Sequence, residues 1–317
     1  MRTILRRLLH VVPVLWAAAT LVWIFMFLVP GDPVRLLAGR SADPRVLERA
    51  RAEWGLDRPP LERYVAYLGK IATGDLGTSY VQRRPVARIL GEALGRTIFL
   101  AAAAMILAAA AGITLGVVSA RRGGAVDALV TAGTLAGVAI PTFWLGLLLM
   151  VVFGSTLRWL PISGYGEGIS ILGVRAPAFR NLLMPAATLA AFPAALIARV
   201  TRAAVQEQIN ADHILAARAR GIPGFSIVWR HALRNALGPV ATLVGLLTAT
   251  LLGGAIATEI VFSWPGIGRV IFGALRQRDL PVVEGGVILL TAIFLAANLA
   301  VDLLYAAIDP RVRERRP

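Results

Sequence analysis

Long apolar runs dominate this chain and restrict what it can fold into. A helix needs about 20 mostly apolar residues to cross the hydrocarbon core of a bilayer. Six stretches have this character: Val11 to Val29, Thr97 to Ala120, Ala128 to Leu157, Asn181 to Ala198, Asn235 to Thr258 and Gly285 to Val301. Because 57% of the residues are hydrophobic and only 16% are charged, we predict an all-α integral membrane protein with six transmembrane helices.

Two of these runs leave alternatives open. The third run is longer than one span requires and contains Pro141, so we expect it to kink, to tilt or to include an interfacial turn. The first run follows Arg2, Arg6 and Arg7, an arrangement that also occurs in secretory signal peptides. An uncleaved anchor is the favoured interpretation, because the apolar run is too long for a signal peptide and no small-residue cleavage site follows directly.

The distribution of arginine indicates which ends of the helices are cytoplasmic. The 33 basic and 18 acidic residues suit either nucleic acid or an anionic membrane face, and the apolar runs favour the membrane. With both termini inside, the inner segments hold fifteen arginines and the two short outer loops hold six. The positive-inside rule therefore predicts that both termini are cytoplasmic.

The first connection, residues 31–95, has the signals of a small extracytoplasmic helical region. Asp43-Pro44 is typical of an N-cap and first turn, and Gly55 is expected to end that helix. Pro59-Pro60 begins a second helix that runs to about Ala72, and a third piece, Val86 to Leu94, leads into the second span. This region either covers the outer ends of the spans or takes part in handling substrate.

Catalytic signatures are absent from the sequence. It has no G-x-x-x-x-G-K-[ST] loop, and its only lysine, Lys70, lies in a different context. His10, His213 and His231 all lie outside the apolar runs, and neither H-E-x-x-H nor G-x-S-x-G occurs. Without cysteine there is no disulfide, thiolate metal site or cysteine nucleophile. We therefore expect no enzyme activity, and no catalytic, cofactor or metal site, in this chain.

The cytoplasmic connection between the fourth and fifth runs, residues 203–237, contains more than positive charge. Asn210 or Asp212 is placed to cap a short helix, Arg218 and Arg220 lie in its last turn, and Gly221 ends it. Its small side chains leave a nearly bare helix surface: Ala216, Ala217 and Ala219. A membrane anchor needs charge alone, so a docking element for a partner is favoured over a simple positive-inside anchor.

A second helix is expected after Gly224. Its apolar residues fall on one helical face, at Phe225, Val228, Trp229, Ala232, Leu233 and Ala236. We expect this helix to lie along the membrane surface. Gly238-Pro239 would then turn the chain back into the bilayer.

Other polar and glycine positions have two interpretations each. Charged residues near the outer face either contact a binding protein or substrate, or form salt bridges within the loops: Glu259, Arg269, Arg278 and Asp279. Asn298 and Asp302 are polar residues near the inner end of the sixth span, where packing between spans is favoured. Glycines at four-residue spacing are expected to allow close helix contact: Gly112, Gly116, Gly133 and Gly137.

Taken together, these residues resemble the membrane-spanning permease subunits of binding-protein-dependent ABC importers. Such subunits have a cytoplasmic Glu-Ala-Ala, three residues, Gly signature. Residues 215–221, LAARARG, match it with leucine in place of the glutamate. The dipeptide, oligopeptide and nickel branch departs in the same way. Further matching motifs follow in order, among them GLDRPPLERY at 55–64, IPTFWLGLLL at 140–149, EIVFSWPGIGR at 259–269 and NLAVDLLYAAIDPRVR at 298–313.

The resemblance implies a type I importer fold. It assigns residues 1–30 to the cytoplasmic N-terminus and first helix, 96–306 to a five-helix transmembrane core and 307–317 to a cytoplasmic tail. The segment from Asp212 to Gly221 would be the coupling helix that docks on an ATPase. Its contact residues would be Asp212, His213, Leu215, Ala216, Ala217, Arg218, Arg220 and Gly221. His213 stands where many relatives have tyrosine, which leaves the detailed contact open.

The resemblance also implies partners and a location. These are a second homologous permease, two ATPase subunits that hold ATP and Mg²⁺, and an extracytoplasmic substrate-binding protein, in a bacterial or archaeal inner membrane. Dipeptides, longer peptides, nickel chelates and glutathione all remain open as cargo. The alternative is an ion-coupled secondary transporter, which requires midplane carboxylates or broken helices in two matching halves. The sequence shows neither an internal repeat nor a central acid.

Overall fold

A computed structural model describes residues 2–28, 34, 43–166, 168, 170–171, 174–175 and 177–308. The helices are α1 (Arg2–Leu28), α2 (Pro44–Glu53), α3 (Pro60–Ala72), α4 (Val86–Arg122), α5 (Gly124–Ala139), α6 (Thr142–Leu149), α7 (Phe179–Ile209), α8 (Asp212–Ala219), α9 (Gly224–Ser226), α10 (Leu233–Val261), α11 (Ile267–Gln277) and α12 (Leu280–Ile308). Two π-helical segments, Met150–Thr156 and Ile227–Ala232, follow α6 and α9. The short strands β1 (Ser170–Ile171) and β2 (Val174–Arg175) pair antiparallel, with Ser170 opposite Arg175. The prediction of a helical protein is confirmed.

Among the described residues, five helices are long and apolar enough to cross a membrane. A sixth span is formed if α5 and the α6 segment count as one, since they are bent by 108° at a short break. Ile140 has an extended backbone there, with ψ 123°, because a following proline disfavours the helical conformation. The predicted kink at Pro141 is confirmed, and the bend is sharp enough for either a broken span or a re-entrant loop.

The chain divides into two compact units. The first comprises residues 1–95 and 266–295. Its predicted extracytoplasmic helices are present, and the backbone N–H of Arg45 donates to Asp43 Oδ1 at 2.9 Å, as expected of an N-cap. A buried cluster holds this unit together and includes Val86 and Leu90 of α4, Ile267 of α11 and Val282 of α12.

The second unit comprises residues 96–265 and 296–317. Its core includes Leu100, Ile197, Leu247 and Trp264, all nearly inaccessible to solvent. Helix α7 is central to this core because α5, α6 and α10 all pack against it. The indole of Trp264 donates a 3.1 Å hydrogen bond to the carbonyl of Arg96, so this buried ring has a polar partner.

Three of the four glycines expected at close helix contacts lie at such contacts. A Cβ at Gly112 would come within 2.7 Å of the Ala194 carbonyl oxygen, and one at Gly116 within 2.6 Å of that of Ala198. A Cβ at Gly137 would lie 3.3 Å from the Ala191 oxygen. The expectation was wrong for Gly133, where an added Cβ would meet nothing within 4 Å. The absence of side chains therefore lets α4 and α5 approach the backbone of α7.

The predicted turn at Gly238-Pro239 is wrong. Pro239 lies inside α10, which continues the π-helical segment 227–232 without a break into the fifth span. A proline normally disfavours a helical residue before it, partly through a clash with that residue's Cβ. Gly238 has no Cβ, so the helix can pass through this position.

Candidate functional site

The predicted coupling segment is a separate two-turn helix, α8, between the fourth and fifth spans. Its N-cap is Ala211, without a side-chain hydrogen bond, so the expected cap by Asn210 or Asp212 is wrong. Asn210 instead ends α7, where its amide nitrogen donates to the Gln206 carbonyl at 3.4 Å. Asp212 lies in the first turn of α8, where a carboxylate favours the positive end of the helix dipole.

Gly221 terminates this segment as predicted. Its φ is +74°, in the left-handed region that glycine adopts without steric cost. Its N–H donates to the Arg218 carbonyl at 2.9 Å, and that of Ile222 to the Ala217 carbonyl at 3.3 Å. A Cβ at Gly221 would meet nothing within 4 Å. The requirement for glycine here is therefore one of backbone conformation and not of space within this chain.

The two faces of α8 differ in burial. Ile214 is fully buried and Ala217 is 7% exposed; both pack against Ile227 and Ala232 of the following π-helical segment. The remaining predicted contact residues are on the exposed face: Asp212, His213, Leu215, Ala216, Arg218 and Arg220. We expected Ala217 on the bare surface of the helix. It instead packs α8 against the π-helical segment of the same chain. Sequence reasoning missed Ile214, although its i, i+3 spacing to Ala217 marks the buried face.

A second contact joins α8 to the fifth span. The side-chain amide of Asn235, in the first turn of α10, lies 3.1 Å from His213 Nε2. The amide NH₂ donates when the Nε2 atom carries no proton. Displacement of α8 would therefore act directly on the start of α10.

The segment after Gly224 packs more deeply than a surface helix. Four of the six residues predicted on its apolar face are buried: Val228, Ala232, Leu233 and Ala236. Val228 belongs to a cluster with Val117 of α4 and Val205 of α7. Phe225 is 61% exposed and lies beneath the Arg121 guanidinium, 5.8 Å from the ring centroid.

An ion pair that the sequence did not reveal lies near the same ends of the helices. Arg202 of α7 donates to Asp127 of α5 at 2.6 Å, and the Ser119 hydroxyl of α4 donates to the same carboxylate. This group links three helices at the cytoplasmic end assigned by the arginine distribution. Its members are 8 and 75 residues apart in sequence, so only the packing of the helices reveals it.

Of the outer-face candidates, Glu259 is not on the surface. It is fully buried and accepts a 2.6 Å hydrogen bond from the Thr97 hydroxyl. Of the two interpretations, a contact within the chain therefore describes Glu259. Burial follows from its position at the end of α10, in the turn that places Trp264 in the core.

Asp279 is also buried, and it organises the first unit. It accepts hydrogen bonds from the Ser79 hydroxyl, from the Tyr80 N–H at 2.9 Å and from the Val81 N–H at 3.4 Å. Of the two interpretations, contacts within the loops therefore describe this residue. Arg278 precedes it in a left-handed conformation, φ +54°, and Arg269 lies exposed on α11.

The first unit also contains a cavity of about 560 Å³. Its lining combines aromatic residues with charged ones of both signs: Trp23, Trp54, Tyr67, Tyr80, Arg58, Arg63, Lys70, Arg83, Asp75 and Glu284. These residues come from α1, α3, α12 and the connections between them, so spacing along the sequence did not indicate the cavity. Among the described residues, no group of three or more potential ligands could hold a metal ion. The side chain of Asp302 lies outside the described residues.

Comparison with known proteins agrees with these features. Residues 112–314 match the family described as binding-protein-dependent transport system inner membrane component, and residues 1–101 match the N-terminal region of the same membrane components. The glutathione transport system permease protein GsiC of Pectobacterium atrosepticum is 40% identical over 98% of both chains. The di/tripeptide transport system permease protein DppB of Pseudomonas aeruginosa is 38% identical over 99% of both.

Among solved structures, an inward-facing MetNI methionine ABC transporter matches with a TM-score of 0.48 and 19% identity. That match covers 68% of this chain and 95% of the solved chain. The family match, by contrast, extends from the last turns of α4 to the C-terminal segment, and the relatives match from end to end. This chain therefore belongs to the family of inner membrane components of binding-protein-dependent transport systems, as a permease subunit and not as an enzyme.

Proposed function

We propose that this permease forms half of the transmembrane pathway of an importer for short peptides, glutathione included. The support for this cargo is the similarity to permeases named for glutathione and for di- and tripeptides. The other half would be a second homologous permease. An extracytoplasmic binding protein would deliver the peptide, and both termini of this chain would be cytoplasmic.

Two ATPase subunits that bind ATP and Mg²⁺ would drive transport. The observation that supports this part is the architecture of α8, which is a separate helix with an exposed face of Leu215, Ala216 and Arg218. Its other face is fixed to the chain through Ile214, and His213 contacts the start of α10. A motor that moves α8 would therefore also move the fourth and fifth spans. Rigid-body rotation of this kind is a common way for one domain to change the conformation of another.

The test is uptake of radiolabelled alanyl-phenylalanine and of glutathione by proteoliposomes that contain the complete importer and its binding protein. With the ATPases facing the vesicle interior, we expect uptake of at least one of the two peptides to require ATP inside the vesicles. An uncoupler should leave this uptake unchanged. Uptake that persists without ATP and collapses with an uncoupler would instead establish the ion-coupled alternative. ATP-driven uptake of neither peptide would overturn the assigned cargo.

A further inference from the structure

The cavity of the first unit has the size and composition of a ligand site. It is separate from α8, the helix proposed to dock on an ATPase. Ligand pockets commonly have volumes of about 300–1,000 Å³, and this one has a volume of about 560 Å³. All of its lining residues belong to the first unit. In the orientation given by the arginine distribution, it lies at the extracytoplasmic ends of the first and last spans.

Three charged side chains that line this cavity, Glu284, Arg58 and Lys70, form no ion pair with one another. Glu284 faces it from the first turns of α12, and no hydrogen bond or ion pair is formed by its carboxylate within the described part of the chain. Arg63 is near enough to act on the charge of Glu284. Arg58 and Lys70 also line the cavity, and their cationic groups form no ion pair with any described residue. One cavity thus presents a carboxylate, Glu284, together with the cations Arg58, Arg63 and Lys70, which suits a ligand that carries both signs.

Two alternatives fit this lining less well. A ligand with only negative charge would pair with the cations of the lining but would leave the Glu284 carboxylate without a partner. A metal ion would meet several cations, and no suitable group of ligands exists among the described residues. Asp75 is already engaged in a turn, where it accepts the Gly77 N–H at 2.8 Å.

The aromatic side chains supply the apolar part of the site. The rings of Trp54 and Tyr80 are stacked with centroids 4.0 Å apart, which forms a rigid wall. Burial in the first place, and then the charge of Glu284, raises the pKa of Tyr80 to about 12. The Tyr80 hydroxyl is therefore protonated at neutral pH and can donate a hydrogen bond to an anionic group.

We propose that this cavity binds a short peptide with free termini, whose ammonium group pairs with Glu284 and whose carboxylate pairs with Arg63. Arg58 and Lys70 strengthen the attraction for the carboxylate end, and the wall of Trp54 and Tyr80 contacts the peptide side chain. The choice of a peptide among zwitterionic ligands rests on the proposed function. The site gives the permease its own contact with cargo on the extracytoplasmic side.

The experiment measures the Kd of alanyl-phenylalanine for the assembled importer in lipid nanodiscs, without its binding protein, by calorimetry. N-acetyl-alanyl-phenylalanine and alanyl-phenylalanine amide are the matched probes, because each lacks the charge of one terminus. We expect each modified probe to bind about tenfold more weakly or worse, the usual cost of losing a charged hydrogen bond. Absence of binding by the free peptide, or equal Kd values for all three probes, would overturn the proposal.

Two variants assign the ends of the peptide. In Glu284→Gln, acetylation of the probe should no longer weaken binding, whereas amidation still should; Arg63→Gln should show the opposite pattern. Glu92→Gln and Arg88→Gln are the controls, since these residues form an exposed pair at 3.4 Å outside the cavity. If both terminal penalties persist in the cavity variants, the peptide binds elsewhere and the assignment is wrong.

The same preparations separate this inference from the proposed function. ATP-dependent uptake with the binding protein, combined with no effect of peptide termini on binding, would overturn the cavity site alone. Uptake that needs no ATP would overturn the ATP-driven function, whatever the cavity binds.

Discussion

Asp279 shows how a single carboxylate stabilises the first compact unit of the molecule. Its two oxygens accept hydrogen bonds from the Ser79 hydroxyl and from the backbone N–H groups of Tyr80 and Val81. In Asp279→Ala the buried Ser79 hydroxyl and the part-buried N–H groups of Tyr80 and Val81 lose their acceptor. We expect the free energy of unfolding to fall by about 3 kcal/mol, measured as a lower thermal unfolding midpoint of the purified permease complex in detergent.

The matched control is Asp57→Ala, which removes an exposed carboxylate from the same unit. Its midpoint should stay within the range of ordinary surface substitutions, about 0.5 kcal/mol. Equal midpoints for the two variants would show that the Asp279 hydrogen bonds contribute nothing beyond the loss of a charge.

Burial distinguishes two neighbouring alanines of α8 that share one sequence motif. Ala217 packs against Ile227 and Ala232, whereas Ala216 is exposed. Ala217→Leu should overpack this contact and destabilise the protein by about 1–3 kcal/mol. Ala216→Leu should leave the unfolding midpoint unchanged and, if the exposed face contacts an ATPase, reduce ATP-dependent uptake. Thermal unfolding and uptake measured on both variants check this; a stable Ala217→Leu variant would contradict the assigned faces.

At the scale of the element, the contact of α4 with α7 depends on glycine. A Cβ at Gly112 would come within 2.7 Å of both the Ala194 oxygen and Ile197 Cβ, and a backbone oxygen cannot move aside alone. We expect Gly112→Ala to separate the helices and to cost about 1–3 kcal/mol. Gly133→Ala is the control because its Cβ meets open space, and alanine there favours the helix. The two variants are compared by size-exclusion chromatography after mild heating, which gives the ratio of folded to aggregated protein for each.

The elements differ in how far the sequence could predict them. Helices such as α2 and α3 were predictable because their start signals, Asp43-Pro44 and Pro59-Pro60, act locally. The kink at Pro141 was predictable for the same reason. The continuous path through Pro239 was not, since a proline alone does not decide where a helix ends: Pro185 and Pro193 also lie inside α7. The buried face of α8 also depends on tertiary partners, Ile227 among them.

The candidate site shows the same division between local and distant information. The position of α8 and its end at Gly221 follow from short motifs. Burial of Glu259 and Asp279 depends on Thr97 and Ser79, which lie 162 and 200 residues away in sequence. The charged cavity likewise combines α3 with the start of α12. Patterns along one chain cannot show which distant polar groups will pair.

At the scale of the whole molecule, the orientation in the membrane is the expectation that most directly affects function. Because the chain has no cysteine, a single introduced cysteine is the only thiol that a maleimide can label. Asp57→Cys lies in the connection expected outside, and Ala219→Cys on the exposed surface of α8. In spheroplasts, a membrane-impermeant maleimide should label Asp57→Cys directly and Ala219→Cys only after permeabilisation.

The thiol-free parent chain is the control for labelling of other groups, and total labelling after denaturation corrects for expression. The expected pattern follows from the fifteen arginines of the inner segments against six in the two short outer loops. The reverse pattern would place α8 outside, where no ATPase could reach it, and would remove the basis of the docking assignment. Labelling of both sites in intact spheroplasts would require an even number of spans between them, so that the bent pair of α5 and α6 would be re-entrant and only α4 and α7 would cross.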